Sequence, residues 1–360
     1  MTRSTLAVDL GAVRANARHL IAAAGMSRLW AVVKADGYGH GAVACAGAAL
    51  AAGAERICCA TVSEARELRD ALGEAVAVVV LSPLEPGEEA AAPGLEIVVS
   101  SLQDYARLRA SGVACDVHVK ADTGMGRWGM TPADALATGR ELAGGGPLRL
   151  AGLMSHLATA DDDIAFAREQ MRVFAELAAE FPPCPRHLAN SAATLTLPDS
   201  RHDAVRCGIA LYGVSPFGGA PQGYGLTPAL RWTTRVAGLR ELPAGASAGY
   251  GRRLVAERPL RVAHVPVGYA DGYPRLASGR AEVLVRGRRR LVAATVSMDQ
   301  LTCVVDAAVE LDDEVVLLGE QGDERVTAEE LAGHAETIGY EIVCAASLAA
   351  RRGTRTYRGS

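Results

Sequence analysis

Short apolar segments alternate with longer amphipathic, alanine-rich segments through about the first 230 residues of the chain. The short segments have the length and β-branched composition of buried strands, and the longer ones have helical periodicity. The predicted strands are Leu29–Lys34, Ile57–Thr61, Val76–Leu81, Glu96–Ser100, Cys115–Lys120, Leu150–Ser155, Arg186–Ala189 and Asp203–Cys207. The predicted helices are Gly41–Ala52, Ser63–Leu72, Gln103–Ala110, Pro132–Ala143 and Ile164–Glu180. Ser63 and Ser101 are candidate helix caps.

A succession of eight strand–helix units predicts an α/β fold with an N-terminal (β/α)8 barrel of the TIM type. An open doubly wound sheet is the alternative, which a count of eight strands disfavours. After Pro228 the chain changes to short β-branched segments separated by Gly, Pro and Asp turns. This pattern predicts a C-terminal mainly-β domain. We therefore place the barrel at 1–228 and the β-rich domain at 229–360.

Five strands are predicted in the second domain: Arg261–Pro266, Ala281–Val285, Leu291–Val296, Thr302–Val305 and Glu314–Leu318. Near the end of the chain the pattern predicts a helix over Thr327–Ile338 and a final strand near Tyr340–Cys344. The basic run Arg286–Arg290 is interrupted by a glycine and lies between apolar segments. We interpret that run as a solvated hairpin and not as a binding patch.

Composition narrows the class of protein. The chain has 360 residues, 49% of them hydrophobic, and a net charge of −4. These values suit two folded domains and give no support for a nucleic acid or an anionic membrane as partner. No apolar run reaches the ~20 residues needed to span a bilayer, and no signal peptide is expected. Eight cysteines without Cys-x-x-Cys spacing suit the cytoplasm, with neither disulfides nor a bound metal.

The segment Ala-Val-Val-Lys-Ala-Asp-Gly-Tyr-Gly-His-Gly at 31–41 places Lys34 at the exit of an apolar strand. Burying an ammonium group is costly unless the group is paired or neutralised. Schiff-base chemistry requires such a desolvated amine. The alternative is a lysine that turns out to solvent, and this segment alone favours neither.

Reactive residues of a TIM-type barrel lie at the carboxyl ends of the strands. Five predicted strands end in polar residues of that kind: Lys34; Lys120 with Asp122 and Arg127; His156; Asn190 with Ser191; and Arg206 followed by Gly208 and Ile209. Backbone amides near Ser191 and Gly208 are suited to a phosphate. A lysine, a phosphate cradle and an arginine together indicate pyridoxal phosphate. His19, His187, His202 and His264 are interpreted as ordinary structural or surface residues.

The motifs resemble, in order and along nearly the whole chain, those of the alanine racemase family, which binds pyridoxal phosphate. They are Val-Val-Lys-Ala-Asp-Gly-Tyr-Gly-His-Gly (32–41), Lys-Ala-Asp-Thr-Gly-Met-Gly-Arg-Trp-Gly (120–129), Met-Ser-His-Leu-Ala-Thr-Ala-Asp (154–161), Ala-Asn-Ser-Ala-Ala (189–193), Arg-Cys-Gly-Ile-Ala-Leu-Tyr-Gly (206–213), Gly-Tyr-Gly (249–251), Gly-Tyr-Ala-Asp-Gly-Tyr-Pro-Arg (268–275) and Ser-Met-Asp-Gln (297–300). The resemblance implies an isomerase that interconverts L- and D-alanine, or a related and larger amino acid, by a two-base mechanism.

By this resemblance, Lys34 holds the cofactor and is one catalytic base, and Tyr250 from the second subunit of a homodimer is the other. His156 connects Tyr250 to Arg206, which faces the cofactor. The resemblance further assigns Tyr38, Asn190, Ser191, Gly208 and Ile209 to the cofactor, Arg127 to cofactor and substrate, and Met298, Asp299 and Tyr269 to the substrate. It makes Lys120 a site of carbamylation and assigns Asp161, Arg275 and Leu348 to the entrance channel.

Three positions depart from the family pattern. Leu348 replaces a tyrosine, Ala346 a larger aliphatic residue and Thr295 an arginine. All three changes remove bulk or a polar group near the expected entrance. A racemase with a wider entrance and a larger substrate is therefore expected as readily as an ordinary alanine racemase. A decarboxylase on the same scaffold and a non-catalytic protein that binds pyridoxal phosphate are the alternative functions.

Overall fold

The computed structural model describes Arg3–Gly359, and these residues form two compact units. The first, called the barrel unit here, comprises Arg14–Gly37 and Gly41–Leu211. The second, called the β unit, comprises 3–13, 38–40 and 212–359 of the described range. This grouping differs from the predicted boundary at 228, because it assigns the amino-terminal strand and residues 212–228 to the β unit. No helix of the described chain has the length and apolar character needed to cross a membrane.

The barrel unit is built on a closed barrel of eight parallel strands. The strands are Arg28–Val32, Arg56–Cys59, Val78–Val80, Glu96–Val99, Cys115–Lys120, Leu148–Met154, Arg186–His187 and Ala204–Cys207. Pairing of the first strand with the last closes the barrel. The prediction of a (β/α)8 barrel is therefore confirmed, and the open sheet is excluded. Lys34 lies beyond Val32, where its strand ends, and not at the final strand position as predicted.

The helices of the barrel unit follow the predicted pattern closely. They are Leu10–Ala24, Ala42–Ala52, Val62–Leu72, Leu102–Ala110, Pro132–Ala143, Ile164–Glu180 and Ser191–Thr196, the first of which begins within the β unit. Ser101 caps its helix as predicted, because its side chain accepts the N–H of Asp104. The predicted Ser63 cap is wrong. Thr61 caps that helix in a reciprocal pair with Glu64.

The β unit contains three antiparallel or mixed sheets. The largest has the strand order Arg288–Leu291, Glu282–Val285, Glu314–Gln321, Leu230–Arg235, Thr5–Asp9 and Thr354–Arg358, with Glu324–Val326 paired to Glu314–Gln321. A second sheet joins Gly238–Leu242, Leu260–Val265 and Leu301–Val305, and a third pairs Ser247–Ala248 with Leu254–Val255. The mainly-β character of the C-terminal part is thus confirmed, as is the hairpin at Arg286–Arg290.

Two strand predictions in this unit are wrong. The predicted final strand at Tyr340–Cys344 is part of the helix Gly339–Ala346, which follows the helix Ala328–His334. Its apolar residues bury one helical face, since Ile342, Val343 and Ala346 are all buried. Of the predicted strand Leu291–Val296, only Leu291 lies in an observed strand, Arg288–Leu291, and Val292 forms an isolated bridge with Cys303. The final strand is Thr354–Arg358, which pairs in parallel with Thr5–Asp9.

Candidate active site

Lys34 is followed by a backbone segment in the left-handed conformation. The φ angles are 53° at Ala35, 53° at Asp36, 63° at Gly37 and 52° at Tyr38. Residues with a side chain pay roughly 1–2 kcal/mol each for this conformation, so a run of them needs external support. Strain of this kind is concentrated at functional sites. The half-buried Lys34 therefore begins a turn whose shape the surrounding residues must impose.

Hydrogen bonds from two directions supply that support. The Gly37 N–H donates to the Val33 carbonyl at 2.8 Å, and the Gly41 N–H donates to the Asp36 carbonyl at 2.7 Å. Glu64 holds the other side, because its carboxylate accepts the N–H of Ala35 at 2.7 Å. The same carboxylate accepts the N–H groups of Ala60 and Thr61, so it ties the Lys34 turn to the next strand–helix loop.

Lys34 and Lys120 are the only two lysines in the sequence, although lysine and arginine together number 37. Arginine supplies positive charge everywhere else in the chain. An arginine cannot act as a neutral amine, because its pKa is too high, whereas a buried lysine can. The barrel places both lysines at the same end, since each follows or ends a parallel strand. Their exclusive use at this end of the barrel indicates amine chemistry there.

Lys120 is buried and lies among other cations. Burial, together with the positive charges of Arg127, Arg206 and Lys34, lowers the pKa of Lys120 from 10.5 to about 8. Arg127 itself is exposed on the loop that follows the strand. Asp122 shapes that loop, because its carboxylate accepts the N–H groups of 124–126. The end of the barrel is consequently cationic and suited to phosphate and carboxylate groups.

Arg206 is almost fully buried at the end of the last barrel strand. Its terminal N–H groups donate to the carbonyls of Ser155 and His187, each at 2.7 Å, and to two imidazoles. The Nδ1 atoms of those imidazoles lie 2.8 Å away in His187 and 3.3 Å away in His156. Burial lowers the pKa of Arg206 to about 10, so the guanidinium remains charged at neutral pH.

His156 is neutral for the same electrostatic reason. Burial, followed by the charges of Arg206, Arg127 and Lys120, lowers its pKa well below the ordinary value. A neutral imidazole beside a donor-only guanidinium must accept at the facing nitrogen. The Nδ1 of His156 therefore accepts from Arg206, and its Nε2 carries the proton. The predicted pair of His156 and Arg206 is present in the structure.

His187 is interpreted from the sequence as an ordinary structural or surface histidine. It is fully buried and contacts Arg206 directly. His118 is also fully buried, and its Nδ1 lies 3.0 Å from the Nε2 of His187. One signal was available, because His118 stands two residues before Lys120 on a strand and so shares its face.

Ser191 lies close to the backbone after Arg206, as expected for a phosphate cradle. Its hydroxyl oxygen accepts the N–H of Gly208 at 3.1 Å and that of Ala210 at 3.4 Å, on either side of Ile209. Asn190 caps the helix Ser191–Thr196, since its side chain accepts the N–H of Ala193. Its observed contact is thus structural. Asp161 is exposed on the loop before the helix Ile164–Glu180.

The remaining predicted residues belong to the β unit, where several are unusually exposed. The exposed fractions are 73% for Tyr250, 53% for Met298 and 41% for Tyr269. Tyr38, by contrast, packs its ring on those of Tyr212 and Tyr340, at centroid distances of 5.2 and 6.3 Å. Arg275 is exposed, and Leu348 is half-buried between two short helices.

Tyr250 projects from a constrained turn. Gly249 has φ of 75°, and a Cβ there would lie 2.8 Å from the Cβ of Ala294, so no larger residue fits without rearrangement. The Thr295 hydroxyl donates to the Tyr250 carbonyl at 2.8 Å. Thr295, one of the three departures from the family pattern, thus holds the Tyr250 backbone. A pocket of about 530 Å³ beside Tyr250 is lined by Thr295, His264 and Asp299 among others.

Met298 and Tyr269 lie on two turns that are joined through their backbones. The N–H of Tyr269 donates to the Ser297 carbonyl and that of Ala270 to the Met298 carbonyl, both at 3.0 Å. Gly268 permits this approach, because a Cβ there would lie 2.3 Å from the Ser297 carbonyl oxygen. Asp299 is held from outside by Arg352, whose Nη2 donates to it at 2.6 Å.

Comparison with known proteins identifies the family. The family model described as the alanine racemase N-terminal domain matches residues 8–216, and that of the C-terminal domain matches 229–356. The chain belongs to the alanine racemase family. As a member of this family it is an isomerase, and the resemblance found from its motifs is confirmed.

Individual relatives support this assignment. The alanine racemase of Symbiobacterium thermophilum is 45% identical over 366 residues, covering 98% of this chain and 96% of that protein. The crystal structure of alanine racemase from the D-cycloserine-producing Streptomyces lavendulae superposes with a TM-score of 0.90 at 40% identity, covering 100% and 98% of the two chains. The alanine racemase of Bartonella henselae, crystallised with covalently bound pyridoxal phosphate, gives 0.89 at 28% identity, with 99% of each chain covered.

Replacing Glu64 by alanine removes the acceptor for the N–H of Ala35. We expect Glu64→Ala to lower the free energy of unfolding by roughly 1–2 kcal/mol and to speed amide exchange at Ala35–Gly37. Glu67→Ala is the matched control, because Glu67 is exposed on the same helix. Hydrogen exchange read by mass spectrometry compares the two variants. Equal exchange rates at 35–37 would show that Glu64 does not support the turn.

Protein labelled with 13C at lysine Cε should show two lysine signals, which allows Lys120 to be titrated directly. We expect a midpoint of about 8, with Lys120→Arg identifying the signal. Because the unfolded state binds this proton more tightly, the contribution of Lys120 to the free energy of unfolding rises with pH between about 8 and 10.5. A midpoint at or above 10 in cofactor-free, carbonate-free protein would contradict this assignment of the charge cluster.

Proposed function

We propose that this chain is a pyridoxal-phosphate-dependent racemase that interconverts L- and D-alanine with two opposed bases. The observation that carries the proposal is the placement of the two lysines at one cationic end of the barrel, beside the His156–Arg206 pair. The names of the relatives point to the same substrate and cofactor. Neither alternative function has support from the comparisons or from the contacts described above.

The donor set fits pyridoxal phosphate. The amine of Lys34 suits the aldehyde, the cationic groups suit the phosphate, and the buried guanidinium of Arg206 suits the ring nitrogen. When bound, the cofactor withdraws electrons from the substrate and makes its α-hydrogen acidic. Because Arg206 keeps its proton, it would hold the ring nitrogen by a hydrogen bond and would not transfer a proton to it. Such a contact would limit electron withdrawal and so suppress transamination.

Each face of the substrate α-carbon has its own base. Lys34 takes or returns the proton at one face of the substrate α-carbon, and Tyr250 of a second copy does so at the other. The high exposure of Tyr250 in the single chain supports this arrangement, because a catalytic tyrosine needs a desolvated surrounding that a partner subunit would supply. The function therefore implies a homodimer with shared active sites.

His156 links this second base to Arg206. Its Nδ1 accepts from Arg206, so its Nε2–H is available to the Tyr250 oxygen of the second copy. A donor at that oxygen would stabilise the phenolate, which is the form in which a tyrosine acts as a base.

The other assignments follow the family pattern. Phosphate binding is assigned to Tyr38, Asn190, Ser191 and the backbone at Gly208 and Ile209. The substrate carboxylate is assigned to the Met298 amide with Asp299, Tyr269 and Arg127 nearby. Asp161, Arg275 and Leu348 are assigned to the entrance channel. None of the eight cysteines, all within the described residues, is in a disulfide, which suits a reducing compartment such as the cytoplasm.

Lys120 is proposed to carry a carbamate that orients Arg127. The neutral amine attacks carbon dioxide, a C–N bond forms, and one proton is released. This reaction requires an amine of lowered pKa, which the buried cationic surroundings of Lys120 provide. The product is an anion, so it also reduces repulsion among Arg127, Arg206 and Lys34.

Labelled bicarbonate tests this modification. Added 13C-bicarbonate should give one carbamate signal by NMR in the wild-type protein and none in Lys120→Gln. Lys34→Ala is the control, and it should retain the signal because only Lys120 is modified. A carbamate signal that persists in Lys120→Gln, or its absence from the wild-type protein, would contradict the proposed role.

The proposed reaction is tested by α-proton exchange in D₂O with a panel of L-amino acids. We expect deuterated L- and D-alanine, no exchange in Lys34→Ala, and a loss of roughly 100-fold or more in Tyr250→Phe. Tyr250→Phe should impair removal of the proton from one alanine enantiomer far more than from the other, because each base serves one face. Tyr357→Phe, at an exposed strand position, is the matched control.

Each other outcome identifies an alternative. Release of carbon dioxide with incorporation of deuterium at one face would indicate a decarboxylase. A bound cofactor without exchange of any amino acid would indicate a non-catalytic protein. Larger amino acids that match alanine in kcat/KM would show that Leu348, Ala346 and Thr295 widen the entrance.

A further inference from the structure

A row of buried polar side chains crosses the interior of the barrel unit. Arg206 contacts His187, His187 contacts His118, and His118 contacts Glu96, at 2.8, 3.0 and 2.8 Å. All four residues are buried and come from four different barrel strands. Burying polar groups is costly unless each is hydrogen-bonded, so the order of donors and acceptors along this row matters. We call these four residues the relay.

Arg206 determines the proton positions at one end of the relay. A guanidinium only donates, so His187 Nδ1 must accept and the His187 proton must be on Nε2. That proton is donated to His118 Nδ1, which leaves the proton of His118 on Nε2, where Glu96 accepts it. Burial and the charge of Arg206 also lower the pKa of His187 well below its ordinary value, which keeps the ring neutral.

Glu96 determines the proton positions at the other end. Although burial raises the pKa of Glu96, the hydrogen bond with His118 and the charge of Arg56 lower it below its ordinary value. The Nε of Arg56 lies 3.0 Å from both carboxylate oxygens, and its guanidinium lies 4.7 Å above the Trp30 ring. An ionised carboxylate only accepts, so both ends require the same direction of N–H donation.

The alternative proton arrangement is excluded by the same contacts. If His118 donated from Nδ1, His187 would accept at Nε2 and carry its proton on Nδ1. That proton would then face an N–H of Arg206, and two donors would meet inside the barrel. Trp30 also limits reorientation of the rings, since its centroid lies 4.4 Å from His187 and 5.6 Å from His118. The relay therefore has one proton arrangement in which every member is satisfied.

Arg206 receives its orientation from these bonds. Its Nη1 group donates to the ring and the carbonyl of His187, and its Nη2 group donates to the carbonyls of Ser155 and Leu188 and to the ring of His156. Within the described chain, these bonds use the terminal nitrogens and not Nε. Without the His187 ring as acceptor, the Nη1 group of Arg206 would lose one hydrogen bond. The guanidinium could then turn and present a different N–H group.

We infer that His187 is a positioning residue, which with His118 and Glu96 fixes the guanidinium of Arg206 for the racemase reaction. The inference rests on the proposed function for its catalytic consequence only. The relay imposes the tautomer of His187 whether or not a cofactor is bound. A carboxylate at one mouth of the barrel thereby influences a cation at the other through the two imidazoles of the relay.

Side-chain 15N NMR of histidine-labelled wild-type protein measures the tautomer directly in the unaltered relay. Protonated and unprotonated ring nitrogens have well-separated shifts, and His187→Asn identifies the His187 signals by their loss. We expect His187 protonated at Nε2 and unprotonated at Nδ1. A proton on Nδ1, or a charged ring, would overturn the inference even if racemase activity is present.

Glu96→Gln tests the direction of the relay. The glutamine amide has one acceptor and one donor group, so either Arg56 or His118 Nε2–H must face an N–H group. We expect the population of the His187 tautomers to change, with a fall in kcat of several-fold. Asp116→Asn is the matched control, because Asp116 is also a barrel carboxylate paired with an arginine, Arg149, but lies outside the relay. It should leave both readouts unchanged.

Replacement of His187 separates positioning from structural support. We expect His187→Leu to lower kcat roughly tenfold with little change in KM, and to increase the ratio of transamination to racemisation. Asparagine offers an oxygen near the place of Nδ1, so His187→Asn should restore most of the kcat. An unchanged ratio in a folded His187→Leu protein would overturn the positioning role. If the wild-type protein had no racemase activity, the proposed function would be refuted instead. The tautomer of His187 could still be measured.

Discussion

The buried cation of Arg206 is the constraint on which the site depends. A guanidinium inside a barrel has to find acceptors on all sides, and here it finds three carbonyls and two neutral imidazoles. This requirement places the ring proton of His156 on Nε2, where it is available to the proposed second base. It also places the ring proton of His187 on Nε2, where His118 accepts it. The same charge helps to lower the pKa of Lys120. One residue therefore sets hydrogen-bond direction and electrostatics together.

The use of lysine shows how strictly the chemistry selects side chains. A chain with 37 basic residues retains lysine at two positions only, both at the end of the barrel that holds the candidate site. Surface positions need a charge, which arginine supplies equally well. The site needs an amine that can lose its proton, and only lysine meets that need. Arg206 shows the reverse selection, since its proposed role requires a group that keeps its proton.

The structure changes the interpretation of the three residues that depart from the family pattern. Thr295 was expected to widen the entrance, because an arginine is usual there. The structure shows a further role, as its hydroxyl holds the carbonyl of Tyr250. Ala346 is fully buried within a helix and contributes to packing. Leu348 is half-buried near the chain end. Of the three, Thr295 is the one whose observed contact reaches a proposed catalytic residue.

Sequence periodicity alone determined the eight strand–helix units, the barrel and the residue types at the strand ends, because these depend on local patterns of burial that repeat along the chain. The motif residues Lys34, Lys120, His156 and Arg206 were identified in the same way. Tertiary structure alone decided that Thr5–Asp9 pairs with Thr354–Arg358, that 340–344 is helical, and that His187 and His118 belong to the network of Arg206. Those features depend on contacts between residues distant in sequence, and a local pattern of hydrophobicity carries no information about which distant partner satisfies a buried polar group.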